Sequence, residues 1–489
     1  MSLKQQISPA PTVITSREKI RDTFQRLHGA FEEKGFSLIR DNPLSKPNEY
    51  VYNRGIGRNG EPNGKSNFFV FVKLKGRSLE VMFSNPGYTE KSIDLTPSQI
   101  RKTHLTAGHS KAWVDEVVGS VLVHASKKPD NVYFAVLHGH WGSINGVNLI
   151  EAKIDDGFSR DFDIIRQMMF YNYDFDGTGH HNHIVKELLL HVKELERRVG
   201  ITKVPGCELT ISFTSGGLNG PHHLLWFAND ESALEYARKV LKNRDYQFPA
   251  YAASVDRGEI LKVTREMRES GLLAVGLAHP FQVNALASAG LLNRARRTDY
   301  SFQDAISYIG ESIDSIAAFN LKCQGGKAIG FDAPDQKFAL ELVQKWYSRA
   351  MQMTPNVLNR ALALEMRERF GIKIHVEADE HYYPSVERDL TVHSLGKMWN
   401  VVDISRTSLS AKPTQSELVS LITSRKSDAI YPFMPFKVTN NGNIDLVDSR
   451  NNETTIQNAK ETIAKIKSRF LEAPSLLHDL YISVKRMFT

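Results

Sequence analysis

Apolar residues recur along the chain with two different periods. Between Ser16 and Gly35 they fall at Ile20, Phe24, Leu27 and Phe31. That spacing predicts a helix capped by Ser16 and stopped by Gly35. Residues 41–66, rich in Asn, Pro and Gly, predict a long loop. NFFVFVKLKGRSLEVMF then reads as two strands around a turn at Lys75–Arg77. Thr96 or Ser98 would cap a second helix running towards His124. Residues 1–130 therefore predict a small α+β module.

Beyond Asp130 short apolar runs alternate with amphipathic ones. VYFAVLH, PGCELTISF, HHLLWFA, GLLAVGLAH, SIAAFN and IKIHVEAD are strand candidates. IVKELLLHVKELERRVG and ALEYARKVLKNR carry helical spacing between them. Such alternation predicts a parallel sheet or closed barrel with helices outside. TQSELVSLITSRK and residues 458–470 predict further helices, with NGNIDLVDSRNNE as a polar loop. The division expected is 1–130, 131–430 and a C-terminal extension, 431–489.

Composition adds little to this and excludes some classes. The chain has 489 residues, 41% of them hydrophobic, enough for a large core. No apolar run approaches the ~20 residues that span a bilayer. The first residues lack the apolar centre of a secretory signal. Cysteine occurs twice, as Cys207 and Cys323, which favours a reducing compartment and a cytoplasmic protein. The net charge of +7 lies in residues 1–130, with 20 Lys and Arg against 13 Asp and Glu. An excess of that kind suits a nucleic acid, a nucleotide or another phosphorylated partner, or an ordinary solvated face.

The candidate chemistry gathers at strand ends. VYFAVL runs into His138-Gly139-His140, and two residues at i, i+2 on extended backbone share a face. Glu208 interrupts an apolar strand, where a buried carboxylate is costly unless paired or metal-bound. His223 opens one strand candidate, His279 ends another, and Asp379-Glu380-His381 ends a third. Imidazoles and carboxylates together suit Zn, Mn or Fe. By contrast, Asp174, Asp176 and Gly177 lack the spacing of a calcium loop, and residues 59–66 lack a glycine that a phosphate loop needs.

The motif order resembles the polymerase and histidinol phosphatase (PHP) superfamily. Its motifs stand here as His138-Gly139-His140, Thr178-Gly179-His180, Gly206-Cys207-Glu208, His223-Leu224-Leu225, Ala278-His279-Pro280 and Asp379-Glu380-His381. Ile316–Asn320 is similar to the family's strand ending in Asn. The resemblance covers roughly residues 131–430 and implies an α/β fold, a distorted (β/α)7 barrel. It implies two to three divalent ions. His138, His140, Glu208 and Asp379 would hold the first. Glu208, His223 and His279 would hold the second, and His180 and His381 would help hold a third. Gly179 stands where the family usually has Asp, and His181 follows, so either histidine could be the ligand. Asn145 stands where the family often has a further ligand.

The activity implied is phosphoester hydrolysis by a metal-bound hydroxide attacking in line. Glu208, Asp379 and His381 would be catalytic, with His381 or a water protonating the leaving oxygen. Arg294, Arg296 and Arg297 are candidates for holding phosphate, or a basic helix surface. Two other readings follow from the departures and the ligand types: a PHP-like binding module without turnover, and a hydrolase of C–N bonds.

Overall fold

The computed structural model describes residues 16–39, 42, 44–75, 78–84, 103–106, 111–152, 154–155, 157, 159–181, 185–215, 218–241, 257–280, 310–320, 355–377, 399–433, 436–438 and 444–446. Helix α1 (Ser16–Glu33) buries Ile20, Leu27 and Phe31, the stripe expected from their spacing. It ends because Gly35 takes a left-handed φ of 83°, which lets Phe36 N–H reach back to Phe31 O at 2.9 Å. Strands β1 (Ser37–Leu38), β2 (Glu49–Asn53), β3 (Phe69–Lys75), β4 (Ser78–Met82) and β5 (Thr103–Thr106) follow as one antiparallel sheet in that order. Helix α2 (Lys111–Ala125) comes next.

Two expectations are corrected here. The loop over 41–66 contains β2, whose EYVYN segment is mostly buried between β1 and β3. Its Asn, Pro and Gly flanks hid a short aromatic strand. The helix expected from Thr96 or Ser98 to His124 starts at Lys111, with β5 before it. Thr96 and Ser98 lie outside the described residues.

The sheet is buried on both faces because β3 alternates. Phe68, Val70 and Val72 join α1 and α2 in one core. Phe69 and Phe71 face the other way, into the core of the following residues.

That region begins with β6 (Val132–Val136), the hairpin β7 (Ser143–Ile144) and β8 (Val147–Asn148), α3 (Asp161–Phe170), β9 (Phe175–Asp176) and β10 (His180–His181). It continues with α4 (Lys186–Val199), β11 (Thr202–Lys203), β12 (Gly206–Ser215), β13 (Leu218–Ala228), α5 (Glu231–Leu241), α6 (Arg257–Glu269), β14 (Leu273–Leu277) and β15 (Ser315–Asn320). Then come α7 (Pro355–Phe370), β16 (Lys373–Glu377), β17 (Trp399–Asp403), α8 (Gln415–Thr423), β18 (Ile430–Phe433), β19 (Phe436–Val438) and β20 (Ile444–Leu446). One sheet runs β10-β12-β13-β14-β15-β16, another β11-β9-β6-β17-β18. Both are mixed: β13 is antiparallel to β12 and β14, and β17 to β6 and β18, while the other pairs are parallel.

The architecture is thus mixed α/β with several sheets, not the all-parallel alternation expected. PGCELTISF and HHLLWFA are the two arms of one hairpin with no helix between them. β20, paired with β19, lies where a polar loop was expected. The helix expected over 458–470 lies outside the described residues.

The two sheets share side chains. Tyr133 and Ala135 of β6, Phe175 of β9, Leu225 and Phe227 of β13, Ala274 of β14 and Val402 of β17 meet in one buried cluster. Leu418, Val419 and Ile422 of α8 pack into it. Asn400 joins the sheets by hydrogen bonds: its Oδ1 accepts from Val376 N–H at 2.8 Å, and its Nδ2 donates to Val376 O at 2.8 Å and Ala135 O at 3.3 Å. Among the described residues, no helix is long and apolar enough to cross a membrane.

Candidate metal centre

The site lies where β6, β10, β12, β13, β14 and β16 bring polar residues together. β6 is apolar on both faces, so the first imidazoles after residue 130 appear only beyond its end, at His138 and His140, each 1% exposed. β10 pairs with β12 in parallel, with His181 opposite Glu208. β13 returns antiparallel and carries His223 across from Thr210. His279 follows β14 at a φ of 25°, a strained backbone for a residue with a Cβ.

Glu208 is the centre of the arrangement. Its Oε2 lies 3.1 Å from His138 Nε2, 3.1 Å from His140 Nε2 and 3.1 Å from His181 Nδ1. Its Oε1 contacts His223 Nδ1 and lies 3.8 Å from His279 Nε2. The His140 and His181 rings stack with centroids 4.3 Å apart. Five imidazoles therefore share one carboxylate that is 1% exposed. Burial opposes ionisation of Glu208, but His181, His223 and His138 hold its pKa well below the usual carboxylate range. Burial also pushes the His223 imidazole down, with Glu208 opposing. His223 is the more open of these side chains.

Two carboxylates outside the expected set support the imidazoles from behind. Asp155 Oδ1 lies 2.9 Å from His140 Nδ1, and its Oδ2 lies 3.1 Å from His180 Nδ1. Burial opposes its ionisation; His140 and His180 outweigh that and lower its pKa. Glu377, at the end of β16, has Oε1 2.9 Å from His375 Nε2 and 3.4 Å from His138 Nδ1. Its Oε2 accepts from the His279 N–H at 3.3 Å. Burial opposes ionisation there too, but His138 and His375 bring the pKa down to about 2.

Of the expected residues, the structure gathers His138, His140, Glu208, His223 and His279. His180 stands aside, against Asp155 and in the wall of a small cavity with Trp141, Thr178 and Lys203. His181 faces Glu208 instead. Asp379 and His381 lie outside the described residues, as do Arg294, Arg296 and Arg297. Asn145 is an exposed turn residue between β7 and β8, with φ 50°. Gly179 has no room for a side chain, since a Cβ would lie 2.6 Å from Gly206 O and 2.7 Å from Cys207 Cα. Asp174 and Asp176 pair with Lys128 and Lys203 at 2.5 Å each and are structural.

Asp155 and Glu377 were missed by the sequence reading. Asp155 lies fifteen residues beyond His140, because the β7–β8 hairpin intervenes. Its signal was the following Gly157, where a Cβ would lie 2.6 Å from the Trp141 carbonyl carbon. Only glycine lets that segment lie against the H-x-H backbone. The signal for Glu377 was its alternation with Lys373 and His375 on one face of a strand whose other face is Ile374 and Val376.

Among the described residues, three groups have ligand atoms within 4.8 Å of one another: His138, His140 and Glu208; His181, Glu208 and His223; and His140, Asp155 and His181. No family model and no curated protein matches the chain. A solved structure from Bifidobacterium adolescentis, provisionally assigned as a metal-dependent phosphoesterase, is similar over 53% of this chain and 91% of its own, at 12% identity and a TM-score of 0.27. A likeness that low carries no argument about this chain.

Proposed function

We propose that the cluster is a divalent-metal centre and that the protein hydrolyses phosphoesters with it. The observation that carries the reading is Glu208, a buried carboxylate shared by five imidazoles. A carboxylate buried among imidazoles needs positive charge to balance it, and divalent cations held by the same imidazoles would supply it. The nitrogen and oxygen donors fit ions such as Zn, Mn or Fe. His138, His140 and Glu208 would hold one ion, with Asp379 completing its shell. His181, Glu208 and His223 would hold a second, with His279 beside them. His181 replaces His180 in this assignment. Bound ions of this class supply Lewis acidity and an activated water.

The protein's own residues do the rest. Glu208 offers an oxygen to each side. Asp155 and Glu377 fix which nitrogen of His140 and His138 is presented, by engaging Nδ1 of each. His223, on the open side, meets the arriving substrate, and His381 is proposed to protonate the leaving oxygen. Substrates of this class are phosphate monoesters, nucleotides and nucleic-acid ends. The motif series ending in Ala278-His279-Pro280 and Asp379-Glu380-His381 favours phosphorus over a C–N bond. The shared cluster of the two sheets and the Asn400 bridge support a distorted barrel over residues 131–430, fronted by a module over 1–130.

Metal analysis of the purified protein, with turnover of an aryl phosphate before and after Mn²⁺, tests the reading. About two equivalents of metal per chain are expected, with both metal and turnover lost in Glu208→Gln. A folded protein without metal or turnover would overturn it. Metal without turnover on any phosphoester would leave the binding module, and turnover of cyclic amides alone would leave the C–N hydrolase.

A further inference from the structure

A second pocket opens at the far end of β16. Lys373 begins that strand and Glu377 ends it, so the two sites are separated by about 13 Å of extended chain. The pocket has a volume of about 220 Å³ and is lined by Arg367, Lys373, Arg425, Lys426, Asp428 and Tyr431, among others. Four cations thus face one carboxylate, and that carboxylate is committed to Arg367 at 3.3 Å.

The cations are held there by the fold. Arg425 donates to Phe370 O at 2.8 Å, Ile313 O at 2.7 Å and Gly310 O at 3.3 Å, so its charge is fixed by backbone carbonyls. Lys373 is buried and donates to Ser427 O, which leaves further ammonium donors for a ligand. Gly371, at a φ of 68°, lets the end of α7 approach Arg425 O, where a Cβ would lie at 2.9 Å. Burial lowers the Lys373 pKa; Asp428 opposes this, while Arg367 and Arg425 lower it further. Crowding of like charge around a buried ammonium is what a bound anion would relieve.

We infer that this pocket binds a small phosphate-type dianion, gripped by Lys373, Arg367 and Lys426 against the scaffold of Arg425. Its volume takes about seven waters, enough for a phosphate with a short organic group and too little to enclose a nucleotide. The inference does not depend on the chemistry proposed for the imidazole cluster.

Inorganic phosphate titrated into the full-length protein at low salt, followed by calorimetry, tests it. The background is Glu208→Gln, which removes the competing cluster. Phosphate binding is expected to persist there and to weaken about tenfold or more when Arg367→Ala and Lys426→Ala are added. Both of those side chains are exposed, so folding is retained. No binding by about 20 mM phosphate, or binding indifferent to the two substitutions, would overturn the inference. Binding of an oligonucleotide but not of phosphate, lost in the same variants, would also overturn it and mark a polyanion surface.

Discussion

At the scale of single residues, the departures from the family motifs have physical reasons. Gly179 reads in the sequence as a lost ligand, but its Cα lies against the Gly206–Cys207 backbone of β12. Putting Asp there would not restore a ligand. Gly179→Asp and Gly179→Ala are both expected to destabilise the fold by about 2 kcal/mol or more, because backbone cannot yield as a side chain can. Thermal denaturation checks this, and an unchanged midpoint would mean the close approach is wrong. Asp155 supplies a carboxylate that the Asn145 position lacks. Asp155→Asn keeps the shape but weakens the hold on His140 Nδ1, so metal affinity should fall about 10- to 100-fold. Competition with a chelating dye measures that. His138, His140, His223 and His279 were legible at the ends of apolar runs, and His181 only through its place beside His180 in the resembled motif. Asp155 was not, because a hairpin separates it from its partner and its one local sign, Gly157, gains meaning only once the segment is seen against the H-x-H backbone.

At the scale of elements, the periodic ones were readable and the short ones were not. The stripe Ile20, Phe24, Leu27, Phe31 defines α1, and the alternation in 67–83 defines β3 and β4. β2 is five residues between turn formers, and β5 is four, too short for a period to declare itself. The β12–β13 hairpin had a local signal, the Gly216-Gly217 dipeptide between two strand candidates. The expectation of alternating strand and helix overrode it. Helix α8 was legible from TQSELVSLITSRK, and the structure gives it a capping box: Thr414 Oγ1 accepts from the Glu417 N–H, and Glu417 accepts from the Thr414 N–H at 2.8 Å. Its apolar face fills the cluster that both sheets share, so Leu418→Ala should cost about 2–5 kcal/mol and a capping change, Thr414→Ala, only about 1 kcal/mol. Urea denaturation distinguishes them. Equal costs would mean that α8 sits on a surface rather than in the core.

At the scale of the whole molecule, the N-terminal sheet is fastened to the rest by a buried polar seam. Asn67 Nδ2 donates to Tyr173 O and Gly200 O at 2.9 Å each, and Asn67 N–H donates to Asp174 Oδ1 at 2.6 Å. Arg166 forks onto Glu49 with two bonds of 2.6 Å. Lys128, fully buried, donates to Asp174 Oδ2 at 2.5 Å, Asn172 O at 2.6 Å and Asn67 O at 3.0 Å. The sequence marked 1–130 as a module by a change of pattern. It had no means of showing this seam, because Asn67, Lys128 and Asp174 carry no common motif.

The seam makes stability depend on alkaline pH in a definite direction. Burial lowers the Lys128 pKa to about 8, with Asp174 opposing, and burial lowers Lys412 to about 8 as well, with Asp174 and Glu196 opposing. In the unfolded chain a lysine keeps its proton to about pH 10.4. Between about pH 8 and 10 these two lysines therefore carry more protons in the unfolded state than in the folded one, so their contribution to stability rises with pH across that window and is lost again as pH falls through 8. Urea denaturation at pH 8 and pH 10 should show the wild type gaining on the order of 2 kcal/mol more than Lys128→Met, a comparison that cancels the opposite effect of Cys207, Tyr52, Tyr133 and Tyr173, whose pKa values burial pushes up. Lys128→Met takes one proton out of that slope. At pH 7 it also strands the Asp174 carboxylate, which keeps only its backbone donors, at a cost of roughly 3 kcal/mol. A wild type and a variant that run parallel from pH 8 to 10 would mean that the Lys128 ammonium pays no burial penalty and that the seam is wet.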